Sequence, residues 1–140
     1  MLDFDKFFMQ EALKLAKTAF NEDEVPVGAV VTFGDKIIGK GYNQAEKLND
    51  PTAHAEILAI TAACNLLGTK YLDKCTLYVT LEPCMMCTGA IREAQIQKVV
   101  FAASDSSHRK SAPNLFELKG GLLQEEASEL IKSFFKKKRL

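Results

Sequence analysis

Apolar residues recur at helical spacing near both ends of the chain. The first such segment predicts an amphipathic helix over residues 4–20, with Asp3 placed to cap it. The last segment predicts a helix over residues 124–138 that turns its lysines outward. The inward face of this last helix is expected to carry Leu130, Ile131, Phe134 and Phe135.

Short apolar runs rich in β-branched residues lie between these two helices. They predict strands at residues 27–33, 36–42, 77–80 and 98–103, and residues 115–118 could form a fifth. Gly34 and Asp35 can supply the hairpin turn between the first two strands.

Two further helices are predicted between the strands. Asp50 as cap and Pro51 in the first helical position give the start signal for one of them, which ends at Gly68. The other covers residues 84–94 and follows Pro83. The order α-β-β-α-β-α-β-(β)-α predicts an α/β fold, with helices packed on a mixed sheet of four to five strands.

The composition is that of one ordinary globular domain over residues 1–140, with 47% hydrophobic and 26% charged residues and no internal repeat or linker. No apolar run approaches the roughly 20 residues that a membrane helix needs. Asp3, Asp5 and Glu11 distinguish the N-terminal segment from a signal peptide, so a cytoplasmic location is expected. Because the formal net charge is zero, a polyanionic partner would need a local basic patch.

Three residues of metal-ligand type and one carboxylate fall at the starts of the two middle helices. They are His54 and Glu56 on the first helix and Cys84 and Cys87 on the second. If the helix starts lie side by side, the imidazole and the two thiolates make three ligands, the count for a catalytic zinc whose fourth position is open for water. Zinc lowers the pKa of that water toward neutrality, and Glu56 is close enough in sequence to move its protons.

A CxxC pair alone is also found in redox motifs and in structural zinc sites. The redox explanation does not fit the order of elements, since such a motif usually follows the strand of a thioredoxin-like pattern. A structural zinc needs a fourth ligand, and the sequence has no second CxxC and no HxxxH. Cys64 and Cys75 lack the spacing, so both are expected to be reduced core thiols.

The combination of HAE and PCMMC resembles the H-x-E…P-C-x-x-C signature of the cytidine deaminase superfamily of zinc enzymes. The chain is similar in particular to bacterial tRNA adenosine deaminases, which convert the wobble adenosine of an anticodon to inosine. The stretches that carry the similarity are EVPVGAV (24–30), GYN (41–43), DPTAHAE (50–56), LYVTLEPCMMC (77–87) and ELIKSFFKKKR (129–139). The resemblance implies a three-layer α-β-α fold with helices on both faces of the sheet.

It also implies roles for particular residues. His54, Cys84 and Cys87 match the ligands of one Zn²⁺ per subunit, and Glu56 matches the proton shuttle of hydrolytic deamination, in which zinc hydroxide attacks C6 of the adenosine. Asn43 matches the asparagine that contacts the flipped-out nucleoside, although a plain turn asparagine is equally ordinary there. The similarity further places Val25 in the wall of the base pocket and the Ala55 backbone N–H against the base.

The expected partners are a tRNA anticodon stem-loop and a second copy of the chain, since these family enzymes are homodimers. Asp105 matches an acidic residue near the RNA backbone. Phe134, Phe135 and the basic tail ending at Arg139 match the helix that packs by the anticodon loop. On helical spacing alone, the two phenylalanines are core contacts and the tail is a solvated helix end.

The segment after Ala103 departs from the family. A glycine-containing stretch is replaced by residues 106–111 (SSHRKS), and the connection to the fifth strand is short. The family has a helix there and parallel last strands; without that helix the fifth strand could pair antiparallel or lie at the edge alone. Arg109 and Lys110 would then be the residues that restore affinity for phosphate.

Three functions are therefore weighed. The first is deamination of wobble adenosine to inosine in tRNA. The second keeps the zinc chemistry but acts on a free base or nucleoside of the guanine or cytosine type, which the shortened loop favours and the aromatic and basic tail disfavours. The third is a zinc-stabilised RNA-binding or dimerisation subunit, which would have no need of Glu56.

Overall fold

The protein is described from a computed structural model, which covers residues 3–105 and 116–139. The helices are α1 (Phe4–Asn21), α2 (Ala55–Leu67), α3 (Met85–Glu93) and α4 (Gln124–Lys138). The strands are β1 (Gly28–Phe33), β2 (Lys36–Tyr42), β3 (Cys75–Leu81), β4 (Lys98–Ala103) and β5 (Glu117–Lys119). The predicted order of elements is confirmed.

The strands form one mixed sheet in the order β2-β1-β3-β4-β5. β1 pairs antiparallel with both β2 and β3, and β3, β4 and β5 run parallel to one another. The parallel pairing of Lys98 with Glu117 excludes the antiparallel alternative for the fifth strand.

Alternate residues of the central strands enter two separate cores, as the twofold side-chain period of a strand requires. Val30, Tyr78 and Val100 face α1 and α4. Their neighbours Val31 and Val79 face α2 and α3. The predicted three-layer α-β-α fold is therefore confirmed, and the starts of α2 and α3 lie on the same side of the sheet.

The capping residues explain where α1 and α2 begin and end. The Asp3 side chain accepts a hydrogen bond from the Lys6 N–H (3.1 Å) and caps α1 as predicted. Gly68 ends α2 in the left-handed conformation (φ 67°). The predicted start of α2 at Pro51 is wrong, because the Asp50 carboxylate accepts from both the N–H and the hydroxyl of Thr52 and holds a turn there. The helix begins only at Ala55.

The other differences concern exposure. Phe134 is buried as predicted, but Phe135 is 43% exposed, so its expected place in the core is wrong. Cys75 is buried and Cys64 is half-buried, and both are free thiols. In the described part of the chain, no helix is both long enough and apolar enough to span a membrane.

Candidate active site

Three ligand atoms converge where α2 and α3 begin. The Nδ1 atom of His54 lies 3.7 Å from the Cys84 sulfur and 3.5 Å from the Cys87 sulfur. His54 is the N-cap residue of α2, Cys84 is the N-cap residue of α3, and Cys87 lies in the first turn of α3. The predicted meeting of the two helix starts is confirmed.

The chemistry of this cluster fits a zinc ion. The three ligand atoms lie within 4.8 Å of one another, and no other group of three such ligands occurs in residues 3–105 and 116–139. Burial raises the pKa of the Cys87 thiol well above its usual range, and the nearby charges of Glu56 and Cys84 raise it further. A buried thiolate beside a carboxylate therefore needs a cation, and one nitrogen and two sulfurs are donors that zinc prefers.

His54 is turned toward the sulfurs by the segment that precedes α2. Burial lowers the pKa of its imidazole, while a hydrogen bond to the Pro51 carbonyl and the Asp50 charge act in the opposite direction. Nδ1 is the ring nitrogen that faces the two sulfurs, where a metal ion would be bound. A carbonyl beside the ring is the kind of partner that commonly orients a metal-ligating histidine.

Glu56 lies in the first turn of α2 and is 4% exposed. Burial raises the pKa of this carboxyl to about 7, and its hydrogen bond with Cys87 lowers the pKa by a smaller amount. The side chain therefore touches the ligand cluster while its carboxyl can hold or release a proton near neutral pH.

A cavity of about 210 Å³ opens beside the cluster. Its wall combines apolar side chains with polar groups, and it includes the predicted pocket residues Val25 and Asn43. The lining residues are Val25, Val27, Asn43, His54, Glu56, Leu81, Glu82, Cys84 and Asp105. Ala55 is not among them, and its backbone N–H donates to the Asn43 Oδ1 atom at 2.8 Å.

Glu82 also lines the cavity, although no sequence pattern predicted it there. Its carboxylate accepts a hydrogen bond from the Asp105 N–H (3.1 Å), and its own N–H donates to the Ala103 carbonyl (2.8 Å). The available signal was its position, since Glu82 follows β3 directly and precedes the Pro83-Cys84 pair. The carboxyl ends of adjacent parallel strands meet at one edge of a sheet, so Glu82 and Asp105 belong there together.

A wider groove of about 730 Å³ adjoins the cavity and shares Val25 and Asn43 with it. Phe134 and Lys138 of α4 line its far side. Phe134 packs edge-on against Phe20 with ring centroids 6.2 Å apart, and Lys138 pairs with Asp23 at 2.6 Å. α4 is thus docked against the end of α1, with Phe135 and Arg139 exposed. Of the predicted RNA contacts, Arg109 and Lys110 lie outside the described residues.

The comparisons with known proteins agree with this site. A family model of the cytidine and deoxycytidylate deaminase zinc-binding region matches residues 2–103. A tRNA-specific adenosine deaminase of Aquifex aeolicus (strain VF5) is 47% identical over 144 aligned positions, which cover 96% of this chain and 95% of that protein.

Two solved structures extend the comparison. A tRNA:A34 deaminase that carries out A-to-I editing at the wobble position of transfer RNA has a TM-score of 0.84 and is 37% identical, with 89% of this chain and 98% of that chain covered. A guanine deaminase of Bacillus subtilis has a TM-score of 0.67 and is 44% identical, but only 70% of this chain and 63% of that chain are covered.

The family model contains the ligand cluster, and the tRNA-specific adenosine deaminase of Aquifex aeolicus is 47% identical along almost the whole chain. The chain therefore belongs to the cytidine and deoxycytidylate deaminase family, among the tRNA-specific adenosine deaminases.

Proposed function

We propose that this protein hydrolyses the wobble adenosine of a tRNA anticodon to inosine and ammonia. The observation that carries the proposal is the buried carboxyl of Glu56, which lies against the three-ligand cluster and faces a cavity of about 210 Å³. The full-length similarity to tRNA-specific adenosine deaminases names the substrate.

Glu56 moves the protons of this reaction. His54, Cys84 and Cys87 would hold a zinc ion, which would supply the Lewis acidity that lowers the pKa of water toward neutrality. The Glu56 carboxylate takes a proton from that water and gives it to N1 of the purine as the C6–O bond forms. The remaining proton of that water then passes from the new C6 hydroxyl through Glu56 to the exocyclic amine, so C6=O forms, the C6–N bond breaks and ammonia leaves. A carboxyl whose pKa lies near 7 can serve as both base and acid in these steps.

The cavity selects one base and orients it. Its volume suits a single base and not a base pair, so the target nucleotide must leave the stack, which costs little in an anticodon loop. Val25, Val27 and Leu81 supply apolar contact to the ring. Asn43 supplies the amide that hydrogen-bonds the base, while its Oδ1 atom holds the Ala55 N–H. The predicted contact of the Ala55 N–H with the base would require that hydrogen bond to be exchanged.

The anticodon stem-loop approaches along the groove beside α4. Phe135 offers an exposed aromatic face for stacking, and Arg139 offers charge for phosphates. Phe134 contributes by fixing α4, and Asp105 lies at the edge of the cavity where the ribose would pass. Contacts from Arg109 and Lys110 stay predictions.

We also propose that the protein acts as a homodimer in the cytoplasm, with one zinc per subunit. α2 has few polar residues on any side, and its Leu66 and Leu67 are 66% and 42% exposed. Met85 at the start of α3 is 61% exposed beside the ligand cluster. A second copy covering this face would remove that apolar area from water. Sedimentation equilibrium tests the dimer, and a monomer at micromolar concentration would contradict it.

The decisive experiment measures inosine and ammonia produced from an anticodon stem-loop with adenosine at the wobble position. Free guanine, cytosine and cytidine are assayed in parallel. The zinc-loaded protein is expected to convert only the stem-loop. Glu56→Gln should lower the rate about 10²–10⁴-fold, the usual share of a positioned acid–base group, without loss of zinc. The exposed Glu93→Gln serves as the matched control and should leave the rate unchanged.

Two outcomes would contradict the proposal. Activity toward guanine or cytosine in the absence of activity toward the stem-loop would show that a free base is the substrate. Zinc-loaded protein that binds the stem-loop but converts no substrate would indicate the non-enzymatic RNA-binding function.

A further inference from the structure

A second buried carboxylate lies near the active site. Glu24 is 2% exposed, and with Glu56 it is one of the two buried acidic residues in the described part of the chain. Its two oxygens accept hydrogen bonds from successive backbone N–H groups, Glu46 at 3.1 Å and Lys47 at 2.8 Å. Burying this group is costly unless such partners hold it, and the acid–base chemistry of Glu56 does not involve it.

The backbone of Glu24 is fixed to the end of α1. Its N–H donates to the Ala19 carbonyl at 2.9 Å, and Asp23 before it adopts the left-handed conformation (φ 64°) that ends the helix. The carboxylate is therefore presented from a rigid support. Hydrogen bonds to an ionised acceptor are about twice as strong as neutral ones, so this contact can hold a loop in place.

Glu24 holds the loop formed by residues 44–53, which connects Asn43 to His54. A hydrogen bond from the Gln44 N–H to the Ala53 carbonyl (3.0 Å) closes its base. Within it, the Leu48 N–H donates to the Gln44 carbonyl (2.9 Å) and forms a single turn. Glu24 binds the backbone in the middle of this turn, so the loop is held to a residue that lies just after the end of α1.

Asn43 lies where this loop leaves β2. Its N–H donates to the Val27 carbonyl (3.1 Å), and its side chain binds the Ala55 N–H. The Asn43 side chain also lines the cavity. A shift of the loop at Glu46 and Lys47 would displace Asn43. Val27 and Leu81 would stay, since they lie at strand ends in the sheet core, and His54 and Glu56 are held by the close packing of α2 on β2.

We propose that Glu24 is a positioning residue for substrate binding, which holds loop 44–53 so that Asn43 meets the base in the productive orientation. This inference rests on the proposed function of the same cavity. Glu24 does not touch the base, so its effect must pass through Asn43. It should change the Michaelis constant for the stem-loop more than the turnover number.

The test compares Glu24→Ala and Glu24→Gln with the wild type. Glu24→Ala leaves two half-buried N–H groups without their acceptor and is expected to raise KM for the stem-loop about tenfold or more. The turnover number should stay within about threefold and the zinc content at one per chain, because the acid–base and ligand groups are unaltered. Glu24→Gln keeps one acceptor oxygen, so its KM should fall between those of the wild type and Glu24→Ala. Glu11→Gln, a carboxylate of α1 paired with Lys14, is the matched control and should leave KM unchanged.

Two further measurements separate positioning from general stability. In an Asn43→Ala background the KM effect of Glu24→Ala should vanish, as is expected for residues that act as one unit. Amide hydrogen exchange at Asn43, Glu46 and Lys47 should accelerate in Glu24→Ala while the amides of β1 and β3 keep their protection.

Additive KM effects of Glu24→Ala and Asn43→Ala would overturn the proposal, as would unchanged exchange of the loop amides. If Glu24→Ala does not fold, the KM and hydrogen-exchange measurements are made on Glu24→Gln instead. Wild-type protein that is inert toward the stem-loop would contradict the proposed function instead. The exchange measurement would still decide whether Glu24 holds the loop.

Discussion

Two parts of the site are held in place by different contacts. They are the zinc end of the cavity, where His54 and Glu56 lie, and the outer rim, where Lys138 of α4 pairs with Asp23. At the zinc end, α2 lies with its backbone directly on β2, because Gly39 and Gly41 leave no side chain between them. A Cβ atom at Gly41 would lie 2.7 Å from the Ala59 backbone nitrogen. The first turn of α2 is therefore fixed by contacts that cannot relax, and His54 and Glu56 are fixed with it.

The rim is held by long side chains. Lys138 reaches Asp23 at 2.6 Å with both groups exposed, so water screens the pair and it adds little to stability. Such a contact can be exchanged for a phosphate at little cost. The comparison indicates that the reacting groups are preorganised, whereas the RNA-binding groups are free to change partners. The following predictions test this difference.

The largest effect is expected at the ligands. Cys87→Ala should remove zinc from the protein and lower the deamination rate more than about 100-fold, since even changes behind a metal ligand cost 10–100-fold. Cys75→Ala is the matched control, because Cys75 is a buried free thiol outside the cluster. Zinc content by mass spectrometry and inosine formation are measured on both. Retention of zinc by Cys87→Ala would contradict the assigned ligand set.

Substitutions of the two neighbouring phenylalanines of α4 should have different effects, one on stability and the other on RNA binding. Phe134 is 4% exposed, so Phe134→Ala should lower the free energy of unfolding by about 3–5 kcal/mol. Phe135 is 43% exposed, so Phe135→Ala should leave stability within about 0.5 kcal/mol. It should weaken stem-loop binding by about 1–3 kcal/mol if a base stacks on it. Urea unfolding and fluorescence anisotropy measure the two quantities, and equal stability losses would disprove the distinction.

The backbone contact at the zinc end predicts an asymmetry between two glycines. Gly41→Ala should push α2 away from β2 and destabilise the protein by about 1–3 kcal/mol, with a lower deamination rate in the fraction that folds. Gly89 lies in α3 with no atom within 4 Å of an added Cβ, so Gly89→Ala should be neutral or stabilising by up to about 1 kcal/mol. Similar unfolding midpoints for the two variants would show that the contact is not tight.

The sequence predicted the features that are specified by residues close together in the chain. The helix caps, the strand pattern and the CxxC spacing are local signals, and the elements and ligands they indicate are present. The start of α2 could not be predicted in this way. Asp50 caps a turn through Thr52, and the Ala53 N–H donates to the Asp50 carbonyl, so local hydrogen bonds replace the expected helix there.

Features that depend on distant partners left no pattern in the chain. Helical spacing cannot decide between Phe134 and Phe135, because only the docking of α4 on Phe20 selects which ring is covered. Glu24 finds its partners 22 and 23 residues away in the backbone of a loop, where no side-chain pattern marks them. Glu82 joins the cavity through its contact with Asp105, which only the parallel pairing of β3 with β4 brings near.

The smallest effect is expected from a single charge at the rim. Arg139 is exposed at the end of α4, and each phosphate contact of a single-stranded loop contributes about 0.7 to the slope of log affinity against log salt concentration. Arg139→Ala should lower that slope by about this amount, with unchanged zinc content and turnover at saturating stem-loop. Lys74, exposed just before β3, supplies the control Lys74→Ala, which should keep the wild-type slope. Because the chain has no net charge, equal slopes for both variants would show that the attraction for RNA is not concentrated on α4.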